Sequence, residues 1–159
     1  MLERVISGGQ TGADQAGWRA ARSAGLATGG WMPRGFLTED GPRPGFAGQF
    51  GAVEHESVGS EARTIANVRD SDGTLIFAGG RPGPGTALTI EACRGAGVPY
   101  LVVPIARDSE ETSPDRAAAW VSSRPIRTLN VAGERESHSP GIGAFVEGYL
   151  AELFRRLSP

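Results

Sequence analysis

The feature that most constrains this chain is a pattern that occurs twice: a short apolar run, a glycine-rich turn, then a helix. The first turn is Ser7-Gly8-Gly9-Gln10-Thr11-Gly12-Ala13-Asp14, between Arg4-Val5-Ile6 and a helix predicted over Asp14 to Ala24. The second is Gly79-Gly80-Arg81-Pro82-Gly83-Pro84-Gly85-Thr86. It lies between the apolar run Thr74-Leu75-Ile76-Phe77-Ala78 and a helix predicted from about Ala87 to Arg94. A strand, a turn and a helix are the first half of a βαβ unit. Further strands are predicted at Ala27 to Trp31, Phe50 to Glu54, Val98 to Ile105 and Arg127 to Gly133. Helices are predicted at Glu61 to Arg69, Asp115 to Ser123 and Gly141 to Leu157. Alternation of this kind predicts a Rossmann-like doubly wound α/β fold: a mostly parallel sheet with helices on both faces. At 159 residues the chain is expected to form a single domain over 1–159.

The turns are also where chemistry is expected. The first amides of a helix lack partners in the chain and carry the positive end of its dipole, so an anion can bind there. Glycine lets the backbone come close to that anion. This predicts a phosphate or oxyanion site at Gly8, Gly9, Gln10, Thr11, Gly12 and Asp14 on one turn and Gly83, Gly85 and Thr86 on the other. The alternative for each turn is a tight helix cap and nothing more. In a parallel α/β sheet, loops at the carboxyl ends of the strands converge, so turns distant in sequence meet on one edge. Arg34, Arg81 and Arg135 follow strands and are candidate anion clamps. Arg63 and Asn67, four apart, share one side of their helix.

Composition narrows the classes. The net charge is −2, so no general nucleic-acid footprint is expected. All 16 basic residues are arginine, which excludes lysine Schiff-base chemistry and a Walker lysine. One cysteine and two histidines exclude an internal disulfide and predict no cysteine- or histidine-built metal site. Cys93, in mid-helix, is expected to pack in the core. With no long apolar run and no signal-peptide pattern, no membrane partner is expected, and the expected location is cytoplasmic.

Several blocks then resemble the putative molybdenum carrier (molybdenum cofactor carrier protein) family. They are Ser7 to Asp14, Gly30-Trp31-Met32-Pro33-Arg34-Gly35, Glu39-Asp40-Gly41-Pro42, Asn67 to Thr74, Gly85-Thr86-Ala87-Leu88-Thr89 and Leu129-Asn130-Val131-Ala132-Gly133. They fall in order over nearly the whole chain. The resemblance implies a Rossmann-like superfamily that also holds the LOG-type, lysine decarboxylase-like proteins. It implies a homo-oligomer that binds or carries molybdenum cofactor or a related phosphorylated pterin or nucleotide. The chain has Met32 and Arg34 where the family pattern would have cysteine and lysine, so the positive charge is kept and the thiol is not. LOG-type phosphoribohydrolases use an arginine on the helix before the central strand and a glutamate soon after a Gly-Thr pair. Arg63 matches that arginine; Leu88 and Thr89 stand in the glutamate's place, with Glu91 further along. A nucleotide-processing hydrolase using Arg63 and Glu91, or a nucleotide-sensing oligomer, is the alternative to a non-catalytic carrier.

Overall fold

A computed structural model describes residues 1–105 and 110–159. Six strands form one sheet: β1 (Arg4–Ile6), β2 (Ala27–Met32), β5 (Ala52–Glu54), β6 (Gly73–Ala78), β7 (Tyr100–Pro104) and β8 (Thr128–Gly133). Their spatial order is β5-β2-β1-β8-β6-β7, and every pairing is parallel. The helices are α1 (Ala13–Ser23), α2 (Phe46–Phe50), α3 (Ser60–Arg69), α4 (Pro84–Ala96), α5 (Pro114–Ser122) and α6 (Ile142–Leu157). Helix α6 packs between α1 and α5 on one side of the sheet, while α3 and α4 pack together on the other. This is the doubly wound α/β architecture expected from the alternating pattern.

The main core forms where β-strand side chains meet the apolar stripe of α6. Val5, Leu75, Phe77, Leu129 and Val131 from the strands pack with Ala16 and Ala20 of α1 and with Val146, Leu150 and Leu153 of α6. Strand β6 is buried along its whole length, as an apolar central strand covered on both faces must be. Helix α1 approaches the sheet at Gly17, where a Cβ would lie 2.9 Å from the Val131 side chain.

Two features of the long glycine- and proline-rich segment after β2 differ from a plain surface connection. Residues 37–42 form a small antiparallel hairpin, β3 (Leu37–Thr38) with β4 (Gly41–Pro42). Phe46–Phe50 form the short helix α2, whose Phe46 and Phe50 pack on Trp18; the Trp18 and Phe50 rings stack at 4.8 Å. Three aromatics spread over 33 positions thus form a second apolar cluster with Met32. No periodicity announces it, because the helix has a single turn.

Strand order fixes where loops meet. From β1 the chain crosses outward to β2 and then β5, whereas β8 and β6 lie on the other side of β1. The loops after β1, β6 and β8 therefore open around one crevice at the carboxyl edge of the sheet.

Candidate functional site

That crevice is a cleft of about 420 Å³. The β1 loop contributes Gln10 and Asp14 at the entry to α1, and the β8 loop contributes Glu134, Arg135, Ser137 and His138. Helix α3 supplies Ser60, Arg63 and Thr64, and α4 supplies Gly85, Thr86 and Thr89 behind Gly83. Residues from the two glycine turns therefore stand on one cleft, the juxtaposition expected from strand–turn–helix repetition.

Arg63 and Asp14 form the cleft's charged floor. Arg63 Nη1 lies 3.5 Å from Asp14 Oδ2, with both side chains largely buried. The guanidinium rests directly over Gly8, where a Cβ would come within 1.8 Å of Nη1. Arg63 Nε is buried and has no hydrogen-bond partner among the described residues. Burial pushes the Asp14 carboxyl above its ordinary value, opposed by Arg63 and by hydrogen bonds from the Gln10 and Gly8 amides. Desolvation likewise draws Arg63 down, with Asp14 opposing. Asn67, one turn along α3, grips the backbone of β2: Trp31 N–H donates to Asn67 Oδ1 at 2.8 Å, and Asn67 Nδ2 donates to Trp31 O at 3.0 Å. The shared helix face thus has two jobs, one in the cleft and one anchoring the sheet.

The first turn directs its amides inward. Gly9 N–H donates to Ser7 Oγ, Gln10 N–H to Asp14 Oδ2, Thr11 N–H to Gln10 Oε1, and Ala13 N–H to Glu134 O. Gly12 holds a left-handed φ of 79°. A Cβ there would meet Glu134 O at 2.5 Å and Glu136 N at 2.8 Å, so only glycine lets the two loops touch. Of this turn only Gln10 and Asp14 line the cleft; Gly8, Gly9, Thr11 and Gly12 do not. The second turn is built differently. Helix α4 starts with no side-chain cap, Pro84 lacks an N–H, and the space where a Gly85 Cβ would sit is open. Its N-cap and first residues, Gly83 to Thr86, line the cleft.

Of the expected residues, the cleft gathers Gln10, Asp14, Arg63, Gly83, Gly85, Thr86 and Arg135. Arg34, Arg81 and Glu91 are exposed and not among its lining residues. Ser60 and Thr64 are additional: they stand four apart on α3, on either side of Arg63 in sequence, a spacing visible in the sequence. Glu136 turns to the helix beyond, its carboxylate accepting from Gly141 N–H at 2.6 Å and Gly143 N–H at 2.9 Å, and so caps α6. Asp72 is also structural, accepting from the Arg127 and Thr128 amides at the start of β8. Cys93 is fully buried in α4. Among the described residues, no group of three or more His, Cys, Asp or Glu could hold a metal ion, and no helix is long and apolar enough to cross a membrane.

An all-parallel, doubly wound sheet with its crevice at the carboxyl edge defines a Rossmann-like α/β protein. Residues 5–154 match the model of the circularly permutated YpsA SLOG family, and the chain belongs to that family. It is similar to the crystal structure of a "putative molybdenum carrier protein" from Syntrophus aciditrophicus SB. The two are 36% identical with a TM-score of 0.85, over 96% of this chain and 94% of that one. No curated protein matches it.

Proposed function

We propose that this chain, one domain over residues 1–159, is a binding or carrier protein for a phosphorylated small molecule, with molybdenum cofactor or a related pterin or nucleotide anion as cargo. The observation that carries the reading is Arg63: a guanidinium held at the base of a cleft with its Nε unpartnered, opposite the uncapped start of α4. A phosphate there would receive α4 amides, the Thr86 hydroxyl and the Arg63 guanidinium, with Arg135 at the rim. Charge-assisted hydrogen bonds of this kind are about twice as strong as neutral ones. The Syntrophus relative's description supports a molybdenum-bearing cargo.

Calorimetry with molybdenum cofactor, molybdate and a nucleoside monophosphate tests it. A saturable heat with one of them, weakened at least ~10-fold by Arg63→Ala or Thr86→Ala, is expected; each lost charge-assisted contact is worth roughly 1.5–3 kcal/mol. No heat with any of the three, or unchanged affinity in both variants, would reject the reading.

A nucleotide-processing hydrolase is the second reading. It is favoured by Arg63 together with Glu134, a carboxylate 8% exposed on the same cleft, which accepts from Ser139 Oγ. Release of free base from a nucleoside monophosphate would select it over a carrier. Association of copies is part of the proposal: edge strand β5 exposes Val53, and Val58 beyond it is also exposed. Light scattering with and without ligand measures that association and tests whether ligand controls it.

A further inference from the structure

Next to the cleft, the protein already holds an anion of its own. Glu39, on the β3–β4 hairpin, turns back from an exposed backbone and inserts its carboxylate between the β1 and β8 loops, its side chain only 17% exposed. Oε1 accepts from Thr11 Oγ1 and, at 3.2 Å, from Ser137 N–H; Oε2 accepts from Ser137 Oγ and lies 3.8 Å from Arg135 Nη1. The Thr11 hydroxyl is oriented for this, because its oxygen accepts the Glu136 N–H. The Glu39 amide completes the clasp by donating to Gln10 Oε1 at 2.9 Å. Burial opposes charge on Glu39, but the Ser137 and Thr11 hydrogen bonds and Arg135 outweigh it and hold the carboxyl below its ordinary value. A hydroxyl pair, an amide and a guanidinium thus converge on two oxygens, the donor set a phosphate or carboxylate needs. Gln10, Arg135 and Ser137 also line the cleft, so this pocket and the Arg63 floor belong to one continuous surface.

We infer that the ring of Thr11, Ser137 and Arg135 is a second anion subsite, occupied by Glu39 in the free protein and by the outer anionic group of a two-anion ligand in the bound one. The inference rests on the reading that the Arg63 end takes the first anion. Glu39 is then a competing internal ligand: the outer site is available only in the fraction of molecules whose hairpin is undocked, and apparent affinity falls by that fraction.

Calorimetry with inorganic phosphate and pyrophosphate separates the two ends. Glu39→Ala should tighten pyrophosphate about 10-fold, as for a hairpin docked some nine-tenths of the time, and leave phosphate within about twofold. Adding Thr11→Val to Glu39→Ala should abolish the gain. Equal pyrophosphate affinity in wild type and Glu39→Ala, with Arg63→Ala still weakening phosphate, overturns the outer subsite and leaves the Arg63 reading intact. A gain in Glu39→Ala alongside unchanged phosphate binding in Arg63→Ala does the reverse. Silence with both anions in every variant rejects both. Hydrogen exchange on the wild-type chain decides independently of any variant's folding: saturating pyrophosphate should speed amide exchange at residues 37–41. Unchanged or slower exchange there overturns the displacement of Glu39.

Discussion

The Arg63 guanidinium lies over the Gly8 backbone, so close that a Cβ on residue 8 would stand 1.8 Å from Nη1. A glycine in the β1 loop and an arginine in the middle of α3 are thus a packing pair. The glycine leaves the room in which the arginine reaches Asp14. Gly8→Ala should crowd the guanidinium and displace it within the ion pair without removing it, lowering stability by about 1–3 kcal/mol, in the usual range of destabilising point substitutions. Gly85→Ala is the matched control. Nothing lies within 4 Å of its would-be Cβ, and alanine in a helix is favoured over glycine by roughly 0.5–1 kcal/mol, so stability should hold or rise. Urea unfolding of both variants measures the contrast; equal losses would contradict the packing account.

Asn67 closes two backbone groups of Trp31 in a buried setting. Asn67→Ala removes both bonds and leaves a buried N–H and a C=O unpaired. Each orphaned group costs about 1–3 kcal/mol. A loss of roughly 2–4 kcal/mol is expected by chemical denaturation. Asn67→Asp should not recover it: an aspartate accepts from Trp31 N–H, but its buried carboxylate faces Trp31 O with no proton to donate.

Tyr149 on α6 is 7% exposed, packs edge-on to Phe77 at 5.2 Å and donates its hydroxyl to Ser113 O at 3.1 Å. Burial pushes its pKa up to about 12 from 10.0, against Arg116 and Arg156. A raised folded pKa means the native state holds its proton where the unfolded chain has lost it. The contribution is complete below pH 10 and declines as pH rises through 12, by about 2–3 kcal/mol at 1.36 kcal/mol per unit. Tyr149→Phe should flatten that part of the stability–pH curve, and an equally steep wild-type and variant decline would assign it elsewhere.

How far the sequence carries can be seen at particular residues. Strand β6 was legible because a continuous apolar run between turn signals has few other uses, and β1 because its short run leads straight into a glycine turn. The apolar positions of α6, from Ile142 to Phe154, recur at three and four and are buried as that period requires. Helix α4 starts at Pro84, earlier than its apolar pattern suggests, because proline is suited to the first turn of a helix. What was not legible depends on side chains reaching across the chain. Glu39 meets Ser137 across 98 positions, and Arg63 meets Gly8 across the sheet edge. Neither contact leaves a periodic trace. The meeting of the two turns was foreseeable from the parallel topology. The inward use of the first turn's amides was not, since it follows from where the Asp14 and Gln10 side chains point.

Asp14 is the present counter-charge of Arg63, and that role makes a prediction with two opposed signs. Burial raises the Asp14 carboxyl above its ordinary value while the Arg63 guanidinium opposes that rise, so the charged pair sits in the fold at a cost in stability. Removing the charge without changing the shape, in Asp14→Asn, also leaves Arg63 buried without its counter-ion, and breaking a buried pair costs about 3–5 kcal/mol. The second effect is larger, so the free variant should be less stable than wild type at pH 7. An anion bound at the Arg63 end would then replace the missing carboxylate, and the ligand's own charge would meet no repulsion from residue 14. Phosphate should therefore raise the melting temperature of Asp14→Asn more than that of wild type, because stabilisation grows with the logarithm of ligand concentration over Kd. Thermal unfolding over a phosphate series at constant ionic strength reads this directly. A variant that phosphate stabilises no more than wild type would mean that Arg63 is committed to the fold alone.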